Sequence, residues 1–177
     1  EFRIGVDLMG AENPPEVLLE AAESTLSLIP KNSKIIVIGA PRLASMTSLQ
    51  AVPASETIEM GDHPLMAIRR KHDSSLCIGL QMLKEGKLDA FVSAGNTGAL
   101  VFGAKKVLSM QPGILRPALC ALMPTRRQPL AVLDVGANVQ CKATHLIQFA
   151  LLGAAYQQAR GVTSPRVGLL NIGSEAL

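Results

Sequence analysis

The stretch FVSAGNTGAL, residues 91–100, passes from apolar residues directly into a run of Ser, Ala, Gly, Asn, Thr and Gly. Its apolar part predicts a buried strand over 89–94, and the sequence TGALVFGAKKVLSM predicts a helix over 97–110. Small residues at such a junction let a ligand approach the backbone, and the first turn of the helix offers unpaired N–H groups to an anion. A tight, well-capped turn between strand and helix is the alternative interpretation.

Strand and helix patterns alternate along the rest of the chain. Strands are predicted at 3–9, 34–40, 56–60, 89–94, 118–124, 130–137 and 166–173. Helices are predicted at 14–29, directly after Pro41, and at 64–71, 74–84, 97–110 and 142–160, and 50–55 is predicted to be a loop. Several strands are apolar on both faces, which is typical of a parallel sheet covered by helices. The sequence therefore predicts one α/β domain over 3–175, with three layers and a mainly parallel sheet flanked by helices.

The composition limits the possible functions. The 177 residues are 48% hydrophobic and 18% charged, which indicates a globular protein rather than a disordered one. The net charge of +3, without a basic block interleaved with aromatic residues, suits a small anionic ligand at least as well as nucleic acid. No apolar run reaches the roughly 18 residues of a membrane span, and no signal-peptide pattern is present, so we expect a cytoplasmic location. Three cysteines without CxxC spacing agree with a reducing compartment.

Four predicted strands end in similar small polar sequences: DLMG (7–10), SAGNTG (93–98), DVGAN (134–138) and NIGSE (171–175). In a parallel sheet all four turns would lie at the carboxyl edge, where open α/β proteins bind their ligands. We therefore predict an anion or acyl-group site there, with tight capped turns as the alternative. The residues expected to line it are Gly10, Ser93, Gly95, Gly98, Asp134, Gly136, Asn138 and Asn171.

The sequence lacks the motifs of dinucleotide-binding sites, phosphate-binding loops, hydrolase nucleophiles and zinc proteases. The chain has no GxGxxG after the first strand, no GxxxxGK[ST], no GxSxG and no HExxH. The three histidines lack metal-ligand spacing, so no metal is expected, and His63 and His145 are interpreted as structural hydrogen-bonding residues. Cys141 lies beside Lys142, and a catalytic thiol is possible there, but a buried free cysteine is the favoured interpretation. Lys71 and Arg116 are candidate anion contacts, with a solvated charged surface as the alternative for Lys71.

A series of motifs between Arg3 and Glu175 resembles the PlsX family of phosphate acyltransferases. In chain order they are DLMGAENPP, RKHDSS, SAGNTGAL, GILRPAL, LDVGAN, HLIQFALLGAAY and PRVGLLNIGSE. The resemblance implies transfer of a long-chain fatty acyl group from acyl carrier protein to inorganic phosphate, giving acyl phosphate for phospholipid synthesis. It also implies the fold shared by phosphate acetyltransferases and the isocitrate and isopropylmalate dehydrogenases, a homodimer, no cofactor, and a possible peripheral association with the membrane.

The chain departs from the family pattern in several places. Leu8, Ala11 and Glu12 replace a small residue, a second glycine and an acid. Gln140 stands where the family commonly has an acid, and Ala143 and Thr144 stand where it has Pro-Glu. Family members also continue beyond NIGSE, so the chain is expected to correspond to their N-terminal half.

The implied mechanism is direct attack of phosphate on the thioester carbon. Backbone N–H groups and cationic side chains would hold the phosphate and stabilise the tetrahedral oxyanion, without a covalent enzyme nucleophile. The residues expected to carry the reaction are Asn96, Thr97, Lys71 and Arg116. Three alternatives stay open: an acetyl-type phosphate acyltransferase that uses coenzyme A, an NAD-dependent decarboxylating dehydrogenase, and a non-catalytic carrier-protein or membrane-associated scaffold.

Overall fold

The computed structural model describes residues 1–171, and the chain divides into two compact units, Glu1–Ser109 and Met110–Leu177. The first unit contains a four-stranded sheet, and the second contains a two-stranded sheet and one α-helix within its described residues, 110–171. The single domain predicted over 3–175 stays a prediction.

The first unit is built on a parallel sheet in the order β3-β2-β1-β4. Its strands are β1 (Phe2–Asp7), β2 (Ser33–Gly39), β3 (Gln50–Pro53) and β4 (Ala90–Val92). Every hydrogen-bonded pair of strands is parallel. Residues 35–39 of β2 are all buried because helices cover both faces of this central strand. The predicted α/β class, with a mainly parallel sheet flanked by helices, is confirmed.

Four α-helices surround this sheet: α1 (Pro15–Thr25), α2 (Pro64–Arg70), α3 (Ser75–Lys84) and α4 (Thr97–Val107), with a 3-10 helix at Pro41–Met46. On one face, Leu19 of α1 packs with Ile35 and Val37. On the other face, Ile36 and Ile38 pack with residues that include Ile78 and Met82 of α3. The alternation of side chains along β2 thus separates two apolar clusters and produces the layered arrangement.

The segment between α1 and α2 differs from its prediction. Residues 50–53, predicted as part of a loop, form β3, whereas 56–60, predicted as a strand, forms only an isolated bridge between Glu56 and Ser74. The backbone from 57 to 62 makes most of its hydrogen bonds with side chains instead of a neighbouring strand, and the Asp62 N–H donates to the Glu59 carbonyl at 3.1 Å. For example, the Glu59 N–H donates to Asp62 Oδ2 at 2.9 Å, and the Thr57 carbonyl accepts from Lys71 Nζ at 2.7 Å. Polar side chains close to the segment have replaced the ladder that its alternating sequence suggested.

The second unit contains β5 (Cys120–Met123), β6 (Leu130–Leu133) and α5 (Ala143–Ala159). The two strands pair antiparallel in a sheet of their own, because the connection at 124–129 is too short for a parallel crossover. The prediction that they belong to the parallel sheet is therefore wrong. The predicted strand at 166–173 is also absent over 166–171, and its last two residues lie outside the described part of the chain.

Candidate functional site

The turns that follow β1 and β4 lie side by side at the carboxyl edge of the parallel sheet. β1 and β4 are neighbours, with Val6 opposite Val92, so the sequences DLMG and SAGNTG leave the sheet together, as their parallel arrangement predicts. A Cβ placed on Gly95 would lie 3.4 Å from the Met9 carbonyl oxygen and 3.5 Å from that of Gly10. The two turns are therefore in close backbone contact.

Asp7, which the sequence analysis did not select, lies beneath both turns. Its carboxyl is buried and accepts hydrogen bonds from the Met9 N–H at 3.0 Å, the Ser93 hydroxyl at 2.8 Å and the Ser75 hydroxyl. Burial raises the pKa of Asp7 above its ordinary value, although these three hydrogen bonds oppose the shift. The available signal was an acidic residue directly after the apolar stretch from Ile4 to Val6, where a charged residue seldom occurs without a polar partner.

The polar side-chain atoms of Ser93 and Asn96 are all hydrogen-bonded within the first unit. The Ser93 hydroxyl donates to Asp7 and accepts from the Gly95 N–H at 3.2 Å. The buried Asn96 caps α4, because its Oδ1 accepts from the Ala99 N–H at 2.9 Å. Its Nδ2 faces the carbonyl oxygens of three residues at 3.0–3.2 Å, namely Glu59, Met60 and Asp62. Asn96 thus joins the start of α4 to the segment 57–62.

Lys71 and Gly10 contact the same segment, 57–62. Lys71 Nζ donates to the Thr57 carbonyl at 2.7 Å and forms an ion pair with Asp62 Oδ2 at 2.6 Å. The hydrogen bond from Lys71 lowers the pKa of Asp62. Gly10 has a φ of +69°, and a Cβ at this position would lie 2.0 Å from the Ile58 carbonyl oxygen. Three residues predicted for the site, Gly10, Lys71 and Asn96, therefore converge on the segment 57–62, most of which lies in the strand predicted at 56–60.

Thr97 and Gly98 present the groups of this edge that remain open to a ligand. Both residues are exposed at the first turn of α4, and among residues 1–171 no acceptor is found for their backbone N–H groups. A Cβ on Gly98 would lie 2.7 Å from Cγ of Pro64, which shows how closely the start of α2 approaches. Two unpaired N–H groups at the positive end of a helix dipole can bind one face of an anion.

The second unit holds a turn of its own around Asp134. This carboxylate accepts from the backbone N–H groups of Leu119 (2.7 Å), Ala137 (3.1 Å) and Asn138 (2.7 Å), and from Asn138 Nδ2 (3.1 Å). Burial opposes ionisation, but the hydrogen bonds outweigh it and lower the pKa of Asp134. Gly136 adopts a φ of +121° in this turn. Asp134 and Asn138 use these polar contacts to fix the DVGAN turn.

Arg116 and Asn171 complete the residues predicted for the site. Arg116 is half-buried in the second unit, and its Nη1 donates to the Gln140 carbonyl at 3.4 Å. Asn171 is exposed, and the remainder of NIGSE lies outside the described residues. The prediction that all four turns extend one parallel sheet is wrong for DVGAN, because that turn follows β6 of the separate antiparallel pair.

Several other predictions concern histidines, cysteines and membrane spans. His145 is buried and its Nδ1 accepts from the Lys142 N–H at 3.2 Å, which confirms a structural hydrogen-bonding role, whereas His63 is exposed. Cys141 is a free cysteine, but it is exposed, so its interpretation as a buried cysteine is wrong. Within residues 1–171, no group of three or more His, Cys, Asp or Glu side chains is placed to hold a metal ion. In the same residues, no helix has the length and apolar character needed to cross a membrane.

These features define an α/β protein with glycine-rich turns at the carboxyl edge of a parallel sheet. The model of the family described as "Fatty acid synthesis protein" matches residues 2–177. The chain belongs to this family, and the resemblance to the PlsX phosphate acyltransferases is confirmed.

Curated relatives carry the name phosphate acyltransferase. The protein of Pseudomonas fluorescens (strain Pf0-1) is 43% identical, and the match covers 97% of this chain and 54% of the relative. The protein of Exiguobacterium sp. (strain ATCC BAA-1283 / AT1b) is 42% identical, with 99% of this chain and 56% of the relative covered. The protein of Thermotoga neapolitana is 42% identical, with 98% and 52% covered. The chain thus spans about half the length of the curated relatives it matches.

Proposed function

We propose that the protein transfers a long-chain fatty acyl group from acyl carrier protein to inorganic phosphate, giving acyl phosphate for phospholipid synthesis. The observation that carries the proposal is the pair of unpaired N–H groups of Thr97 and Gly98 at the start of α4, in a chain whose relatives are named phosphate acyltransferases. A helix N-terminus beside a glycine-rich turn suits a phosphate, because it supplies donors and a positive potential without bulky side chains.

In the proposed reaction a phosphate oxygen attacks the carbonyl carbon of the thioester. A C–O bond forms, the C–S bond breaks, and the carrier thiol leaves with the proton that the phosphate loses. Thr97 and Gly98 would hold the phosphate through their N–H groups, and preorganised donors would stabilise the developing oxyanion. Asn96 would act by holding α4 in place, since its amide is already hydrogen-bonded within the first unit.

The roles of the two cations are also proposals. Lys71 would contribute positive charge to the edge of the sheet while holding segment 57–62 through Thr57 and Asp62. Arg116, whose Nη1 donates to the Gln140 carbonyl, is kept as a proposed contact for phosphate or the carrier protein, as the family resemblance implies. We further propose the isocitrate and isopropylmalate dehydrogenase-like fold, shared with phosphate acetyltransferases, a homodimer, a cytoplasmic location and peripheral association with the membrane, as the family resemblance implies.

The test is an assay of the intact native protein with palmitoyl acyl carrier protein and phosphate. We expect acyl phosphate, identified directly by mass spectrometry, together with free carrier protein in equal amount. Release of carrier protein with water as the only acceptor would contradict the proposal. Much better use of acetyl-coenzyme A would favour the acetyl-type alternative, and carrier-protein binding without turnover would favour a scaffold.

A further inference from the structure

Asp7 is a buried carboxyl that lies under the glycine turns without a cationic partner. Only 3% of its surface is exposed, and none of the ion pairs among residues 1–171 includes it. Its three hydrogen bonds come from one backbone N–H and two hydroxyl groups. Burying a carboxyl in this way is costly, as its raised pKa indicates, and a neutral side chain would cost less. Such a group at a ligand-binding edge is a candidate for a functional role.

The hydrogen bonds of Asp7 connect three separate parts of the first unit. Met9 belongs to the turn after β1, Ser93 to the turn after β4, and Ser75 is the first residue of α3. Ser93 extends the connection, because the hydroxyl that donates to Asp7 also accepts from the Gly95 N–H at 3.2 Å. A hydroxyl has a single proton, so donation to Asp7 leaves its lone pairs available for Gly95. The carboxylate thus determines how Ser93 holds the backbone two residues before Thr97.

We propose that Asp7 is the positioning residue of the phosphate site, acting through Ser93 on the turn that presents the Thr97 and Gly98 N–H groups; this inference rests on the function proposed above. Asp7 contacts no substrate in this role. It keeps the Ser93 hydroxyl directed toward β1 and the Gly95 N–H directed toward Ser93, so that the first turn of α4 begins from a fixed backbone. The expected consequence is an effect on the use of phosphate that is larger than the effect on the use of the acyl donor.

Two sets of variants of the intact native protein test the proposal. Asp7→Asn keeps the size of the side chain but removes one of its two acceptor oxygens. Ser93→Val and Ser93→Thr are a matched pair, because the hydroxyl of Thr takes the place of a methyl group of Val. Ser93→Thr keeps the hydroxyl and is therefore the rescue variant. The Ser93 pair tests the proposal even if Asp7→Asn does not fold. We expect Asp7→Asn and Ser93→Val to lower kcat/KM for phosphate by about 10²-fold through a higher KM for phosphate, with kcat/KM for the acyl donor, measured at saturating phosphate, changed less than about 2-fold. The kcat/KM of Ser93→Thr for phosphate should stay near the wild-type value. The kcat/KM of the double variant Asp7→Asn/Ser93→Val should be no lower than that of either single variant.

Hydrogen exchange at the Gly95 amide, followed by NMR, is the readout that does not depend on turnover. It should become at least about 10-fold faster in Asp7→Asn and Ser93→Val, and stay near the wild-type rate in Ser93→Thr. An unchanged Gly95 rate would overturn the proposal, and so would an equal loss of efficiency toward phosphate and acyl donor, which would indicate general destabilisation. If the wild type forms no acyl phosphate, the proposed function and the role of Asp7 in it both fail, while the Gly95 rates still show whether Asp7 holds the turn.

Discussion

At the scale of single residues, Gly10 and Gly86 form a natural comparison. Both have nearly the same left-handed backbone, with φ of +69° and +67°, but a Cβ on Gly10 would lie 2.0 Å from the Ile58 carbonyl oxygen and one on Gly86 would meet nothing within 4 Å. We expect Gly86→Ala to lower the free energy of unfolding by about 1 kcal/mol through backbone strain alone. Gly10→Ala should lower it by about 3 kcal/mol or more, because the segment 57–62 must move. Urea unfolding measures both, and equal losses would contradict the close approach.

The contributions of Asp7 and Asp134 to the free energy of unfolding should change with pH in opposite directions. The pKa of Asp134 is lower in the folded state than in the unfolded chain, so on acidification the unfolded chain takes up this proton first. The ionised Asp134 therefore stabilises the fold above about pH 4, and this contribution is lost as the pH falls through the folded-state pKa of Asp134. The pKa of Asp7 is higher in the folded state than in the unfolded chain, so as the pH rises the folded protein keeps this proton after the unfolded chain has released it. The wild type should therefore lose stability relative to Asp7→Asn as the pH rises from about 4 through the folded-state pKa of Asp7.

The measurement is urea unfolding of wild type, Asp7→Asn and Asp134→Asn between about pH 3 and pH 7, the range in which carboxyl groups titrate. At neutral pH Asp134→Asn should be destabilised by about 1–3 kcal/mol, since an NH₂ group would face N–H donors now bonded to a carboxylate. Differences from wild type that do not change with pH for either variant would show that the two pKa directions are wrong.

At the scale of elements, α3 depends on a glycine for its contact with β4. A Cβ on Gly79 would lie 2.1 Å from the ring of Phe91, whereas a Cβ on Gly153 of α5 would meet only Cδ1 of Leu133 at 3.1 Å. Helix propensity alone favours alanine at both positions by about 1 kcal/mol. We expect Gly153→Ala to be neutral or stabilising and Gly79→Ala to be destabilising by about 1–3 kcal/mol. Phe91→Leu should reduce the Gly79→Ala penalty in a double-variant unfolding experiment, and an additive double variant would contradict the contact.

At the scale of the whole molecule, the apolar core is concentrated in the first unit. All buried apolar residues among the described ones lie between Leu8 and Ala99, with the exception of Phe149. In α5 of the second unit, Ile147 and Leu151 are more than 60% exposed. We therefore expect residues 1–109, expressed alone, to unfold cooperatively, and residues 110–177 alone to lack a cooperative transition. Urea unfolding followed by circular dichroism tests both, and a non-cooperative 1–109 would contradict the prediction.

The sequence by itself determined the elements whose patterns are local. The apolar runs of β1, β2 and β4 and the amphipathic α1 and α3 follow from residue periodicity, and the motifs around SAGNTG were enough to identify the family. The same periodicity failed at 56–60, where alternation suggested a strand but Lys71 and Asn96 bind the backbone from distant positions. Contacts between residues far apart in the chain are not encoded in local spacing.

Only the tertiary structure decided which polar groups are engaged and which are open. Asn96 and Lys71 looked like free site residues in the sequence, but their side chains hold segment 57–62, and the buried Asp7 emerged as the residue that joins both turns. The pairing of β5 with β6 was likewise a matter of connection length rather than strand pattern. Burial and hydrogen-bond partners depend on how the elements pack. Residue types and their spacing can therefore predict that a site exists, but they do not predict which atoms form it.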